Sequence, residues 1–75
     1  MKKLTRRERE HLRREKEILD VAEHIFARDG YEKASMNEIA EQSEFSKRTL
    51  YQYFESKSDL YLTVALRIYG ALSDQ

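Results

Sequence analysis

The sequence lacks cysteine, proline and tryptophan, and it has only two glycines among its 75 residues. Without cysteine the chain forms no disulfide and offers no thiolate ligand to a metal. The two histidines, His11 and His24, stand alone, and no acidic loop has the pattern of a calcium site, so the sequence argues against a metal centre. The absence of proline and the abundance of Glu, Lys, Arg, Leu and Ala favour helices over strands.

Long apolar runs are also missing. No segment approaches the roughly 18 consecutive apolar residues of a transmembrane helix, and the charged N-terminal end lacks the apolar stretch of a signal peptide. We therefore expect a cytoplasmic protein. A chain of this length buries only about 60% of the surface that its unfolded form exposes, which argues against a deep catalytic cleft. Because glycine-rich phosphate loops, nucleophile elbows and paired carboxylates are absent as well, we expect no enzyme activity and no cofactor.

Basic residues are concentrated in two segments, although the whole sequence has 14 basic and 14 acidic residues. Residues 1–16 contain eight Lys/Arg and three Glu, whereas residues 17–44 contain two basic and eight acidic residues. Residues 45–57 contain three basic residues and one acidic residue. This distribution predicts a polarised surface that presents one face to a polyanion. The alternative is mixed charge that only keeps a small helical protein soluble.

Apolar residues at helical spacing predict a first long helix that ends near residue 29. Its apolar positions are Ile18, Leu19, Ala22, Ile25 and Phe26. Gly30 is suited to the left-handed conformation that ends a helix, and Tyr31 can fold back onto the preceding turn. Residues 5–17 are strong helix formers with few apolar anchors, so the basic segment is either a helical extension or a fraying arm.

Serine residues predict where the next three helices begin. Ser35 and Glu38 have the spacing of a capping box, in which the Ser35 hydroxyl accepts from the Glu38 amide and the Glu38 carboxylate accepts from the Ser35 amide. Ser46 follows an interruption at Glu44 and is suited to cap a third helix. Ser58 is the predicted cap of a fourth helix. The apolar residues of that helix are Leu60, Tyr61, Val64, Leu66 and Ile68.

The two short helices and the turn between them indicate a helix-turn-helix. In that motif the second helix is held on one face by apolar contacts, and its other face carries donors that reach base edges and phosphates in the major groove. Leu50 and Phe54 supply the apolar face, and we expect them to contact Phe26, Ile39, Ala40 and Phe45. The residues that lie largely elsewhere on this helix are Lys47, Arg48, Tyr51 and Gln52. The alternative is an ordinary helical bundle with basic residues on one solvated helix.

Two sequence blocks carry a resemblance to a known family. They are Ile18-Leu19-x-x-Ala22-x-x-x-Phe26-x-x-x-Gly30-Tyr31 and Thr49-Leu50-Tyr51-x-x-Phe54-x-x-Lys57-x-x-Leu60. Over about residues 14–68 the sequence resembles the DNA-binding domain of the tetracycline-repressor (TetR) family of bacterial transcriptional regulators. The resemblance implies an all-α, homeodomain-like domain of three helices followed by the start of a fourth. Helices two and three would form the helix-turn-helix, with helix three as the recognition helix.

The resemblance also implies roles for individual residues. Lys47 and Arg48 match the variable positions that contact base edges. Positions that contact the phosphate backbone are matched by Thr49, Tyr51, Tyr53 and Lys57. Asn37 lies near the start of helix two, at a position that in some members of the family reaches a base or a phosphate, and Ser35 would donate from its cap amide or hydroxyl to a phosphate. The complete predicted DNA-binding set is Ser35, Asn37, Ser46, Lys47, Arg48, Thr49, Tyr51, Gln52, Tyr53 and Lys57.

Several of these residues also have a purely structural interpretation. Tyr51 could belong in part to the core, and Tyr53 could be a surface aromatic residue. Asn37 could be only a helix-start residue, and Lys57 could be solvated. Glu44 departs from the family, which commonly has glycine at this turn position. If this residue needs a positive φ, a side chain costs on the order of 1 kcal/mol, and the turn could then be shaped differently.

The resemblance divides the chain into three segments. Residues 1–16 are a basic N-terminal extension, 17–57 the helix-turn-helix domain, and 58–75 the start of helix four, which would lead to an absent effector and dimerisation domain. The extension is either a minor-groove or backbone arm or a disordered solubilising tail. Its basic residues include Lys2, Lys3, Arg6, Arg7, Arg9, Arg13 and Arg14. A domain fragment is expected, because helix four has apolar residues without an evident partner: Leu62, Leu66, Ile68, Tyr69 and Leu72.

The resemblance implies an intact protein that acts as a dimeric repressor on a double-stranded DNA operator. The two recognition helices would enter successive major grooves, about 34 Å apart, and a small-molecule effector would release the operator. The competing hypothesis is a helical protein–protein interaction module, in which the apolar stripe of helix four is the working surface. Replacing Lys47 and Arg48 with alanine discriminates the two, because a DNA reader loses sequence preference and an adaptor keeps its partner.

Overall fold

The computed structural model describes residues 3–73, and this part of the chain contains four helices and no strand. The helices are α1 (Arg6–Lys33), α2 (Met36–Ser43), α3 (Lys47–Tyr53) and α4 (Lys57–Ser73). Helix α1 packs against both α2 and α4, and α2 packs against α3. The predicted all-α class is confirmed, and α2 and α3 are the two helices of the helix-turn-helix.

Helix α1 begins within the basic segment. A capping box fixes its start, because the Thr5 amide donates to Glu8 Oε1 at 2.8 Å and the Glu8 amide donates to Thr5 Oγ1 at 3.1 Å. Ion pairs within the helix follow one and two turns later, among them Arg13 with Glu17 at 2.6 Å. Of the two alternatives for this segment, the structure therefore has the helical extension from Arg6 onward. Lys2 lies outside the described residues.

Gly30 breaks the regular path of α1 near its end. Its φ is 83° and its ψ is 166°, which is not the left-handed helical conformation that the sequence predicted but a region open almost only to glycine. The predicted end near residue 29 coincides with this break, but residues 31–33 form a further helical turn rather than a linker. The Tyr31 ring does fold back, and it stacks on Phe26 with 6.2 Å between ring centroids.

The caps of α2 and α3 follow the prediction in part. The Ser35 hydroxyl accepts from the Glu38 amide at 3.1 Å, and the Ser46 hydroxyl accepts from the Thr49 amide at 3.0 Å. The return bond of the first capping box is different, because the Glu38 carboxylate accepts from Arg28 at 2.6 Å instead of from the Ser35 amide. This ion pair joins the start of α2 to α1.

The turn between α2 and α3 has the shape that glycine would favour. Glu44 has φ 64° and ψ 28°, so it adopts the left-handed conformation despite its side chain. The Phe45 amide donates to Ala40 O at 3.0 Å and the Glu44 amide donates to Glu41 O at 3.1 Å, which is the Schellman pattern of a helix end. The expectation that a side chain here changes the turn is therefore wrong, since these bonds and the partly buried Phe45 hold the conformation.

The prediction that Ser58 caps α4 is also wrong. Ser56 caps this helix, because its hydroxyl accepts from the Asp59 amide at 3.1 Å and its carbonyl accepts from the Leu60 amide at 3.0 Å. Ser58 lies within the first turn, with its hydroxyl 3.0 Å from that of Ser56. The buried Phe54 ends α3 in an extended conformation, so only two residues are needed before α4 begins.

One hydrophobic cluster holds the four helices together. Its fully buried large side chains are Ile18, Ile25, Ile39, Leu50 and Leu60. At the surface of the α1–α4 contact, Arg67 donates to Asp20 at 2.9 Å and to Glu23. Hydrogen bonds from Lys16 and Arg67 lower the pKa of Asp20. No helix in the described range is long and apolar enough to cross a membrane.

The outer face of α4 carries large apolar side chains at the surface. Leu62, Leu66 and Tyr69 are 59%, 70% and 71% exposed, and Ile68 is also exposed. This agrees with the expectation from the sequence for these four residues. The side chain of Leu72 lies outside what the structure describes.

Candidate nucleic-acid interface

Helix α3 is anchored by one face. Leu50 is fully buried and Phe54, just past the helix end, is only 3% exposed. They belong to the cluster that contains Phe26, Ile39 and Ala40, while Phe45 is partly buried and packs against it. The predicted anchor is therefore confirmed, and it fixes the orientation of α3 on α2.

The opposite face of α3 is open to solvent. Lys47, Arg48, Tyr51 and Gln52 are all exposed, and at 100° per residue they lie within an arc of about 140°. Tyr51 is 44% exposed, so it is not a core residue. No carboxylate among the described residues pairs with Lys47 or Arg48. Their positive charges are thus available to an external anion or acceptor.

Two hydroxyl groups lie together at the first turn of α3. The Ser46 hydroxyl donates to Thr49 Oγ1 at 3.0 Å, in addition to accepting from the Thr49 amide. The Thr49 hydroxyl keeps its own proton, which it can donate outward to a phosphate oxygen. Ser46 is exposed and Thr49 is half-buried, so the pair lies at the edge of the exposed arc.

The start of α2 supplies the second group of predicted residues. Ser35 and Asn37 are both exposed at the first turn of this helix. Arg28 holds that turn against α1, because it donates to Glu38 at 2.6 Å and to both carboxylate oxygens of Asp29 at 2.7 Å. These bonds lower the pKa of Asp29. Asp29 and Glu38 are therefore paired with a cation instead of facing an incoming polyanion.

Tyr53 has a partner that the sequence did not indicate. It is half-buried, and its ring stacks on that of His11 with 4.5 Å between centroids and 21° between planes. The two residues are 42 positions apart in the sequence, so nothing near His11 in the sequence indicates this contact directly. The Thr5 to Glu8 spacing was the available signal, because that capping box extends α1 far enough to place His11 beside α3.

Lys57 is the one predicted phosphate ligand whose charged group is engaged within the protein. Its Nζ donates to Tyr31 O at 2.8 Å and to Ala34 O at 3.1 Å, with a longer contact to Glu32 O. The same ammonium lies 4.4 Å from the centroid of the Tyr31 ring. Lys57 is therefore not simply solvated, and it ties the start of α4 to the end of α1. Its contact with a phosphate stays a prediction.

Comparison with known proteins decides the family. The model of the bacterial regulatory proteins of the tetR family matches residues 18–64. The chain belongs to the TetR family. The matched segment contains α2, α3 and the turn between them, so the helix-turn-helix described above is the DNA-binding motif of this family.

Individual relatives agree with the TetR assignment. The chain is 45% identical over 51 residues to the HTH-type transcriptional activator FasR of Mycolicibacterium smegmatis. This match covers 68% of the present chain and 23% of FasR. The chain is 40% identical over 47 residues to the HTH-type transcriptional regulator QacR of Staphylococcus aureus, covering 63% and 25%. It is 31% identical over 48 residues to the fatty acid metabolism regulator protein of Bacillus subtilis, covering 64% and 25%.

The chain spans about a quarter of the length of these TetR-family relatives. The family is one of transcriptional regulators and not of enzymes. Within the described residues, no group of histidines and carboxylates is arranged to hold a metal ion. What the comparisons establish for this chain is thus a DNA-binding domain of a transcriptional regulator.

Proposed function

We propose that this chain binds double-stranded DNA in a sequence-specific manner, with α3 as the recognition helix. One observation carries the proposal. Helix α3 is anchored by Leu50 on one face, and on the other it exposes Lys47 and Arg48, which no carboxylate among the described residues neutralises. Lysine and arginine in this position donate to acceptors on base edges in the major groove, such as guanine O6 and N7.

The remaining predicted residues would bind the DNA around this contact, mainly at its backbone, with Asn37 at a base or a phosphate. Phosphate contacts fix the register of a protein on the duplex and carry no sequence information directly. Exposed or half-buried side chains of the helix-turn-helix support this role for Thr49, Tyr51, Tyr53, Ser35, Asn37, Ser46 and Gln52. Lys57 would contribute a phosphate contact only if its ammonium exchanged one of its carbonyl partners for a phosphate oxygen.

For the intact protein we propose a dimeric, effector-released repressor that acts in the cytoplasm. Residues 1–16 would be a basic extension, 17–57 the DNA-binding domain, and 58–75 the start of a helix that continues into an effector and dimerisation domain. The exposed apolar face of α4 supports a packing partner for that helix. Repression rather than activation is part of this proposal, because one relative, FasR, is named an activator.

Selection of binding sites from a random duplex DNA library tests the proposal. We expect the wild-type chain to enrich a short motif or its inverted repeat, with an affinity that falls steeply as salt is raised. The variant Lys47→Ala/Arg48→Ala should lose the motif. The matched control is Arg13→Ala/Arg14→Ala, which removes the same charge from arginines that are paired with Glu10 and Glu17, and it should keep the motif.

The same selection also tests the alternative that the chain is a helical protein–protein interaction module. A motif that survives in Lys47→Ala/Arg48→Ala would contradict α3 as the reader. If no motif emerges, the selection is repeated with two copies of the chain joined as a dimer. Enrichment by the joined dimer alone would mean that one recognition helix binds too weakly for selection, whereas no enrichment in either form would reject sequence-specific binding.

A further inference from the structure

The first turns of α1 carry arginines that lie before the segment matched by the family. Arg6 and Arg7 precede residue 18, where that match begins, and both side chains are exposed. Farther along the helix, Arg13, Arg14 and Lys16 pair with acidic residues of α1 itself. In the described part of the chain, no carboxylate pairs with Arg6 or Arg7. This end of α1 therefore presents charge that the protein does not neutralise.

An aromatic stack joins the helix that carries these arginines to α3. Arg7 and His11 are four residues apart on α1 and line the same shallow groove. The His11 ring stacks on Tyr53, the last residue of α3, at 4.5 Å. The start of α1 and the end of α3 are thus in direct contact, and the unpaired charges of Arg6 and Arg7 lie within one to two helical turns of that contact.

We propose that Arg6 and Arg7 bind the phosphate backbone of the same duplex on which α3 docks. Guanidinium groups form strong, often bidentate hydrogen bonds with phosphate oxygens. Duplex DNA is the occupant that the charge favours, and the His11 stack makes this surface continuous with α3. The inference rests on the proposed function, because it adds a second contact to that complex.

The contact would be made by a formed helix and not by a flexible arm. The capping box of Thr5 and Glu8 starts α1 immediately before Arg6, so the helix is ordered before DNA arrives. Ordering a segment on binding costs free energy that subtracts from affinity. Two arginines on a capped helix therefore contribute to binding without that cost. His11 is a positioning residue in this arrangement, since it acts on the DNA only through the placement of α1.

The salt dependence of binding to a mixed-sequence duplex of about 24 base pairs tests the contact. Each phosphate contact contributes about 0.9 to the slope of log K against log salt concentration. We expect Arg6→Ala/Arg7→Ala to make the slope shallower by about 1.8 and to weaken binding equally for all sequences. The control Arg13→Ala/Arg14→Ala removes the same net charge from the same helix. For this control we expect the slope to change by less than half as much as for Arg6→Ala/Arg7→Ala.

Substitutions of His11 test the positioning role. His11→Ala removes the stack on Tyr53 and leaves both arginines in place, so we expect part of the same loss of slope. His11→Phe keeps an aromatic ring at this position and should restore the wild-type slope. Circular dichroism of each variant checks that helix content is retained. An unchanged slope in His11→Ala would overturn the positioning role, and wild-type slopes in Arg6→Ala/Arg7→Ala would overturn the contact.

These measurements separate the inference from the proposed function. If site selection yields a motif that depends on Lys47 and Arg48 while Arg6→Ala/Arg7→Ala binds like the wild type, only the second contact fails. If the arginine variant has a shallower slope but no motif is ever selected, the backbone contact stands and readout by α3 fails. Absence of binding to every duplex at the lowest salt concentration, for the single chain and for the joined dimer, overturns both.

Discussion

Glu44 has a strained backbone conformation in this fold. It is the only non-glycine residue with a positive φ in the described range, at 64°. A side chain in this conformation costs on the order of 1 kcal/mol because Cβ approaches the backbone. The turn keeps its shape because the Glu44 and Phe45 amides close the end of α2 and Phe45 packs against the core. Together these contacts outweigh the local cost.

Replacing Glu44 with glycine should therefore stabilise the protein. Glycine adopts a positive φ without steric cost, so we expect Glu44→Gly to raise the free energy of unfolding by about 1 kcal/mol. The control is Glu44→Ala, which removes the same charge but keeps Cβ and should gain nothing. Thermal and urea unfolding of the three proteins would measure the difference. Equal stability of the glycine and alanine variants would show that the turn carries no strain.

Single residues also show what sequence patterns can predict. The caps at Ser35 and Ser46 were predictable because a cap depends on residues three positions away. The cap of α4 was not, since the choice of Ser56 over Ser58 is tied to the burial of Phe54 just before it. His11 was not assigned a role either, because its stack on Tyr53 joins two helices that are distant in the sequence.

At the scale of helices, apolar periodicity was enough to predict four elements but not all of their ends. The anchors of α1 at Ile18 and Phe26 are buried as expected. The helix nevertheless begins twelve residues before Ile18, at Arg6, where apolar anchors are sparse and the Thr5 capping box decides. The sequence predicts its other end near residue 29, yet a further turn follows the break at Gly30, and Lys57 binds carbonyl groups of this last turn and its cap.

The contact between Lys57 and the end of α1 predicts a loss of stability on substitution. Lys57→Met keeps the aliphatic stem but removes the donor to Tyr31 O and Ala34 O. Hydrogen bonds to charged groups contribute about 1.5–3 kcal/mol, and the low end of this range applies because Lys57 is only half-buried. We therefore expect the free energy of unfolding to fall by about 1.5 kcal/mol.

A matched variant separates this role from phosphate binding. Lys33→Met removes a charge from an exposed lysine in the last turn of α1 and should leave stability nearly unchanged. If Lys57 also binds a phosphate, Lys57→Met should make the salt slope of DNA binding shallower by about 0.9 at a temperature where the variant is fully folded. Wild-type stability of Lys57→Met would contradict the carbonyl contacts as a source of stability.

Across the whole molecule, a formal net charge of zero conceals a separation of charge. The acidic residues of α1 and α2 that could oppose DNA are largely paired, as Glu38 with Arg28 and Asp20 with Arg67. The cations without such a partner in the described residues include Lys47 and Arg48 on α3 and Arg6 and Arg7 at the start of α1. The sequence predicted this polarity from counts along the chain, but only the fold shows which charges are neutralised.

One copy of this domain presents a single copy of α3, the proposed recognition helix, so binding should depend strongly on joining two copies. A short linker between the two copies makes the second binding event intramolecular, and avidity can then exceed the single-site affinity by about 10² to 10⁴. We expect the joined chains to bind best when two inverted half-sites lie one helical turn, about 10 base pairs, apart. Moving the half-sites by half a turn should lower the affinity, because the second recognition helix then faces the wrong side of the duplex.

Fluorescence anisotropy with labelled duplexes of each spacing would measure this dependence of affinity on spacing. Lys47→Ala/Arg48→Ala in one of the two copies is the control, and it should reduce binding to that of a single copy. A joined protein that gains nothing from a second half-site at any spacing would contradict paired readout by α3.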